Sequence, residues 1–438
     1  MTSQAEHAEK PVSGLRPIQE AVVACGDSTV CVRAGRYATA LGEVTIREDA
    51  TLVVPPTPVA HVTDEPIRLT AQAPSGFATG TRLTGPDAQD INALGAFGPD
   101  SLVLRRGPGT GEVVPDSDYL VSAPHAMLGL APDSPLAPED TFFASYRYAF
   151  QRLDLVLVDP EGVPRYKAGM PHITTPVPPP GGLPLAHIWR PYRATTVEPE
   201  HIFPLEASAG AAAAGTTPGR LPRTLAKLRN GDPVTIVCWG DSVTAGGNAS
   251  HPRNRYVDVF ADGLQRRFPN ANLQVHNVSV GGSNSLNWLD PAAHPFHVAN
   301  LQSLLDFDRV LAPVPDLVTL EFVNDAGHGE EVWQAAYDEI RTRLAAAGAE
   351  LVLITPHFTH PDWMGFTSLR EPENRPYVAF LKDYAGRHTL AVADASARWA
   401  HLWREGLPFL TLLHNSVNHP DDRGHRLFAE ELWACFGD

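Results

Sequence analysis

A serine, two glycines, an asparagine and a histidine stand along the second half of this chain where apolar runs give way to turn-forming residues. Ser242 closes VTIVCWGDS, Gly281 and Gly282 follow LQVHNVSV, Asn324 comes directly after DLVTLEFV, and His419 stands before Pro420 in HNSVNHPDD. A serine hydroxyl is a weak nucleophile unless a base removes its proton during attack, and imidazole titrates in the range that suits this task. Attack on an ester carbonyl creates a negatively charged oxygen, which fixed N–H donors must stabilise. Glycine lets the backbone approach closely, and a carboxamide donates without adding charge. The set therefore has the parts of acyl transfer: Ser242 as nucleophile, His419 as base, and an oxyanion hole from the backbone N–H of Ser242, the backbone N–H of Gly282 and the side-chain amide of Asn324. Taken singly, each has a plainer role. The serine of a GDS is a common turn or cap residue, Asn324 can cap the next helix, and Asp241 is suited to accepting from loop amides.

Positioning such a set requires strands that end together. After residue 223 strand and helix patterns alternate: VTIVCW (234–239), LQVHNVSV (273–280), DLVTLEFV (316–323), AELVLIT (349–355) and TLAVADA (389–395) are strand candidates. Three of them are almost continuously apolar, as expected of strands covered on both faces. Tyr256, Phe260, Leu264 and Phe268 recur every four residues, as do Val332, Ala336, Ile340 and Leu344, which is helical spacing. A last amphipathic helix carries Phe428, Leu432 and Phe436. The expected fold is an α/β domain with a doubly wound, flavodoxin-like, mostly parallel sheet, whose site lies at the carboxyl ends of the strands.

GDS with a following glycine, the glycine after the second strand, Asn-Asp after the third and His-Pro before the last helix resemble the four blocks of the SGNH (GDSL) hydrolases, in the same order, over residues 223–438. The resemblance implies an SGNH-type fold, Ser242 as nucleophile, Gly282 and Asn324 as oxyanion donors and His419 as base. It also implies ester substrates ranging from acetylated sugars to aryl esters, lipids and thioesters; no cofactor and no metal are expected. The G-x-S-x-G elbow of the α/β-hydrolases is absent around Ser242. Two departures stand out. Phe322 occupies the place two residues before Asn324 where the family has glycine, and is expected to narrow the pocket. The family also has an aspartate three or four residues before the histidine, where this chain has Ser416 and Asn415. Without that carboxylate the imidazolium lacks an orienter and an electrostatic partner. Candidates for the role are Asn415, a backbone carbonyl, and Asp394, Asp421 or Asp422 reaching in from elsewhere.

The first half reads differently. Residues 30–195 hold short alternating runs such as EVTIRE, TLVV, PIRLTAQ and SLVLRR between Pro, Gly and Asp turns, the pattern of a mostly antiparallel β domain. RLDLVLVDPEGVPRYKAG reads as a hairpin, with Leu153, Leu155 and Leu157 on one face and Asp159, Pro160, Glu161 and Gly162 in the turn. ASAGAAAAGTTPGRLP (207–222) reads as a linker. The expected organisation is a flexible N-terminus (1–20), a β-rich accessory domain (21–205), a linker (206–222) and the hydrolase-like domain (223–438). Cys25 and Cys31 are spaced to close a small loop. In HFTHPDW (357–363), His357, His360 and Asp362 are potential metal ligands without companions. That segment is read instead as shaping the substrate cleft, with Trp363 and Phe366 as an apolar wall and Trp288 doing the same. His425, inside the last helix, reads as a surface or packing residue.

Composition narrows the partners. A chain of 438 residues exceeds the usual single core, and a net charge of −16 argues against nucleic acid or an anionic membrane, which need concentrated Lys and Arg. No apolar run approaches the roughly 18 residues of a membrane helix, and MTSQAEHAEKPVSG has no apolar signal core, so the cytoplasm is the default expectation. The expected activity is a serine esterase working through an acyl-enzyme on a small-molecule or carbohydrate ester. Acetyl on carbohydrate is favoured, with aryl or lipid esters as alternatives. The missing aspartate suggests another class, a carbohydrate-binding or surface-attachment protein with a degenerate hydrolase domain; the retained serine, glycine, asparagine and histidine argue against it.

Overall fold

The computed structural model describes residues 14–39, 42–88, 91–205, 220–364 and 373–437. The chain divides into two compact units, Met1–Gly210 with Trp403–Thr411, and Ala211–Leu402 with Leu412–Asp438. Most of the expected linker, residues 206–219, lies outside the described residues, as do residues 1–13. Within the stretch read as a flexible N-terminus, Leu15–Arg16 is a strand and Ile18–Glu20 a 3₁₀ turn.

The N-terminal unit is built from short, mostly antiparallel strands. Phe142–Ala149 pairs with both Phe97–Arg105 and Val59–Ile67, and Arg152–Val158 pairs with both Pro164–Lys167 and Leu183–Arg190. The hairpin forms where its spacing predicts: Val158 pairs with Pro164, and Asp159 Oδ1 closes the turn by accepting from the N–H groups of Glu161 and Val163 at 3.1 and 2.8 Å. Every residue of Arg152–Val158 is buried, not the leucine face alone. Arg152 and Asp154 are tolerated there because they pair at 2.5 Å, with the Tyr166 hydroxyl donating to Asp154 at 2.7 Å. Cys25 and Cys31 form a disulfide.

In the C-terminal unit the main elements are α1 (Pro222–Asn230), β1 (Pro233–Gly240), α2 (Tyr256–Arg267), β2 (Asn272–Ser279), β3 (Leu317–Glu321), α3 (Glu330–Ala346), β4 (Glu350–Ile354), α4 (Pro376–His388), β5 (Ala391–Ala393), α5 (Ala395–Arg404) and α6 (Asp422–Ala434). The strands are all parallel, in the order β2-β1-β3-β4-β5, as the alternating pattern predicts. Along β1 the side chains alternate between two cores. Val237 and Trp239 pack with Trp333, Tyr337 and Ile340 of α3, while Ile236 and Cys238 pack with Tyr256 and Phe260 of α2 and Phe428 and Leu432 of α6. Each fully buried large apolar side chain contributes roughly 1.5–3 kcal/mol. Of the expected row on α3, Ala336, Ile340 and Leu344 are buried, while Val332 is 39% exposed; Trp333 and Tyr337 complete the buried side. A strict every-fourth-residue row drifts around a helix of 3.6 residues per turn, and the bulkier aromatics one position on fill the core. Among the described residues no helix is long and apolar enough to cross a membrane.

Because α2 packs on one face of the sheet and α3 on the other, the loops after β1 and β3 part in opposite directions. They leave a crevice at the carboxyl end of the sheet, where ligands bind in folds of this strand order.

Candidate active site

β1 ends at Gly240 for a steric reason: a Cβ there would lie 2.1 Å from Thr244 Oγ1 and 2.2 Å from the Glu321 carbonyl oxygen. Asp241 then caps a single turn, Ser242–Ala245, by accepting from the Val243 N–H at 3.0 Å. Ser242 is the first residue of that turn, and its Oγ lies 3.0 Å from His419 Nε2. The other ring nitrogen, Nδ1, lies 2.7 Å from Asn248 Oδ1. An amide oxygen only accepts, so Nδ1 carries the proton and Nε2 offers its lone pair to the serine hydroxyl. That is the protonation state a general base requires.

None of the residues put forward from the sequence as orienter holds the ring. Asn415 is buried, and its Oδ1 accepts from the N–H groups of Val417, Asn418 and His419, each at 3.0 Å. It shapes the loop rather than the imidazole. Asp421 caps α6 through the Gly424 N–H at 2.9 Å and pairs with Arg423. Asp422 accepts from Ser250 N–H and Oγ at 2.8 and 2.6 Å and from Asn254 Nδ2 at 2.9 Å. Asp394 pairs with Lys382 at 2.6 Å and accepts from Thr355 Oγ1 at 2.9 Å. Asn248, which does hold the ring, is not among the candidates the sequence offers. The available signal is Gly246-Gly247-Asn248 soon after Ser242, a run suited to left-handed backbone; Gly246 and Asn248 have φ of 86° and 61°.

Other histidines brace this arrangement. His425 Nε2 donates to the Gly247 carbonyl at 3.1 Å, and His357 Nε2 donates to the Asn418 carbonyl at 2.7 Å. The His360 N–H donates to the Val417 carbonyl at 2.6 Å. Burial pushes His357 down to about 3 and His425 down to about 4, so both are uncharged supports at neutral pH. HFTHPDW thus serves chiefly as a brace for the histidine loop. Trp363, half exposed, lines an open cleft, while Phe366 and the side chain of Asp362 lie outside the described residues. Two other aromatics depart from expectation. Trp288 is buried edge-on against Trp239 at 5.9 Å and donates to Ser283 Oγ at 3.0 Å. Phe322 packs on the same indole at 5.1 Å. Both belong to the core, because Trp239 is large enough to need partners on several sides, and neither narrows the pocket.

The N–H groups of Ser242 and Gly282 have no acceptor among the described residues. Gly282 has a φ of 82°, and a Cβ on Gly281 would stand 3.5 Å from Ser242 Cβ. Asn324, in the turn after β3, directs Nδ2 to Asp241 Oδ2 and to the Ser283 carbonyl, both at 3.0 Å. It therefore ties the three strand-end loops together. Asp325 fixes the glycine loop from below by accepting from the Ser285 N–H at 2.8 Å and the Tyr337 hydroxyl at 3.1 Å.

Residues 238–427 match the GDSL-like Lipase/Acylhydrolase family. The C-terminal half is a GDSL-like acylhydrolase domain. Among solved structures the chain is similar to a two-domain esterase active on acetylated mannans, crystallised with mannopentaose, at 17% identity and a TM-score of 0.37 over 51% of this chain and 54% of that one. It is also similar to an acetyl xylan esterase from Geobacillus stearothermophilus (18% identity, TM-score 0.36, 47% of this chain and 94% of that one). A third is an alpha/beta hydrolase enzyme from the metagenome of Lake Arreo, Spain (23% identity, TM-score 0.35, 47% and 95%). The chain thus spans about half the length of the mannan-active esterase it matches. No curated protein matches the sequence.

Near Ser242, the acylhydrolase domain buries three carboxyls: Asp241, Glu321 and Asp325. Burial lifts Asp241 to about 6, against the bonds from Val243 and Asn324 that favour its charged form. Burial lifts Glu321 further, and the charge of Asp241 adds to it. Asp241 is the carboxylate whose charge interacts with the His419 imidazole.

Proposed function

We propose that this protein is a serine esterase that hydrolyses short acyl esters, acetyl groups on carbohydrate above all, through an acyl-enzyme. The supporting observation is the 3.0 Å contact of Ser242 Oγ with His419 Nε2, with Nδ1 engaged by Asn248 at 2.7 Å. Oγ attacks the ester carbonyl carbon as its proton passes to Nε2. The oxygen of the tetrahedral intermediate is met by the N–H groups of Ser242 and Gly282, and Asn324 joins by exchanging its bond to Ser283. Collapse breaks the C–O bond to the alcohol, which leaves with the proton from Nε2. Water, deprotonated by the same nitrogen, then attacks the acyl carbon and releases the acid and the free serine.

Two features support the substrate class. A Cβ on Gly282 would come within 3.4 Å of His297 Cε1 and 3.6 Å of Phe296 Cζ, so a ring pair bounds the space beside the glycine loop and favours a small acyl group. A cleft of about 660 Å³ lies along the segment after Asn324, lined among others by Ala326, His328, Glu330, Trp363 and Asp383. It offers an aromatic face for a sugar ring and polar groups for its hydroxyls. The test is hydrolysis of p-nitrophenyl acetate, butyrate and octanoate by the wild type and by Ser242→Ala. Acetate should be preferred, and the variant should lose roughly 10³-fold or more. Folded wild type without turnover, or a variant as active as wild type, refutes the esterase; preference for octanoate refutes the short acyl group.

A further inference from the structure

We propose that Asn248 is the positioning residue of an uncharged Ser242–His419–Asn248 relay, in which the orienting group sits on the nucleophile's own loop instead of the histidine's. This rests on the esterase reading for its substrate, but not for its geometry. Asn248 Oδ1 is 2.7 Å from Nδ1, and Ser242 Oγ is 3.0 Å from Nε2, so the ring is held between two residues of one loop. That loop is fixed independently of the ring. Asp422 accepts from Ser250 at 2.8 and 2.6 Å and from Asn254 at 2.9 Å, and His425 donates to the Gly247 carbonyl at 3.1 Å. The ring fits a slot: a Cβ on Gly247 would come within 3.1 Å of both Cε1 and Nδ1 of His419. Asn248 can hold its left-handed φ of 61° because asparagine tolerates that region. A carboxamide fills the third place in the Cys-His-Asn variant of the triad, so a neutral orienter is chemically sufficient.

A neutral orienter fixes the tautomer but does not compensate the imidazolium. Of the titratable groups around the ring, His357 and His425 are uncharged supports, with burial lowering them to about 3 and about 4. Asp421 and Asp422 spend their oxygens on Gly424, Arg423, Ser250 and Asn254. Asp241, at the end of β1, is the carboxyl whose charge acts on the ring, and burial raises it to about 6. Placing a second carboxylate directly on Nδ1 would favour imidazolium, so the base would be lost at a higher pH.

The experiment uses Asn248→Asp and Asn248→Gly in the full chain, glycine being chosen because it takes positive φ without strain. Two readouts are followed: the pH profile of kcat/KM on p-nitrophenyl acetate, and the rate at which diisopropyl fluorophosphate labels Ser242, read by mass spectrometry. Asn248→Gly should lower kcat and the labelling rate by roughly 10², with little change in KM. Asn248→Asp should restore both on the alkaline plateau and move the acid limb up by about one pH unit. Labelling separates the two proposals: wild type that is labelled but does not hydrolyse esters refutes the esterase, while the relay is still read in the labelling rates. Wild-type rates in Asn248→Gly, an Asn248→Asp profile superimposed on wild type, or wild type that is not labelled at Ser242 would each overturn the relay.

Discussion

Asn415 occupies the place where an aspartate is expected before the histidine, and its hydrogen bonds predict what altering it will do. Asn415→Ala removes the acceptor of three N–H groups, those of Val417, Asn418 and His419, each bound at 3.0 Å. At about 1 kcal/mol net for each bond, the variant should lose about 3 kcal/mol of stability. Asn415→Asp keeps all three acceptor contacts and loses only the donor to Asn418 Oδ1 at 3.1 Å, so its stability should stay within about 1 kcal/mol of wild type. Its carboxylate would be committed to the loop backbone, so kcat should not rise and the acid limb of the pH profile should not move. Urea unfolding followed by tryptophan fluorescence and a pH–rate profile on p-nitrophenyl acetate read the two quantities separately. An upward shift of the acid limb in Asn415→Asp would mean that this residue orients the imidazole, contrary to the geometry. An Asn415→Ala protein as stable as wild type would mean that the loop does not depend on the cap.

Two further outcomes follow. Asn324→Ala should lower kcat by roughly 10², the low end for an oxyanion donor, because the amide must exchange an existing bond to the Ser283 carbonyl for the one to the oxyanion; unchanged kcat in the folded variant would assign the oxyanion to the backbone donors alone. Stability should also fall with acid. Burial depresses His425 from 6.5 to about 4, so below pH 6.5 the unfolded chain takes up a proton that the folded one refuses. At about 1.4 kcal/mol per unit, roughly 3 kcal/mol is present above pH 6.5 and is lost as pH falls to 4. His425→Gln, which retains a donor for Gly247, should show a shallower decline in urea unfolding over that window, and parallel curves would contradict the assignment.

The α/β architecture was legible because its signals are local and repeated. VTIVCW carries no polarity alternation because both of its faces are covered, and that continuity marked it as a central strand of a parallel sheet. The first turn of α3 was less legible, since Val332 and Trp333 are both apolar and only the packing around Trp239 decides which of them faces inward. Trp288 and Phe322 read as cleft residues for the same reason: an aromatic beside a strand-end loop looks alike in sequence whether it lines a pocket or supports one.

In the site, the chemistry of each residue could be read from its type, but not which of two asparagines does which task. Asn415 and Asn248 offer the same carboxamide, and proximity in sequence favoured the one four residues from His419. In space the nearer residue is drawn to the backbone of its own tight loop, where Ser416 has a φ of 59° and three successive N–H groups need an acceptor. An acceptor so engaged cannot also meet Nδ1. The ring instead turns to the β1 loop, where Gly247 leaves it room and Asn248 presents an oxygen. In the proposed relay Asn248 takes the place of the missing aspartate at Nδ1.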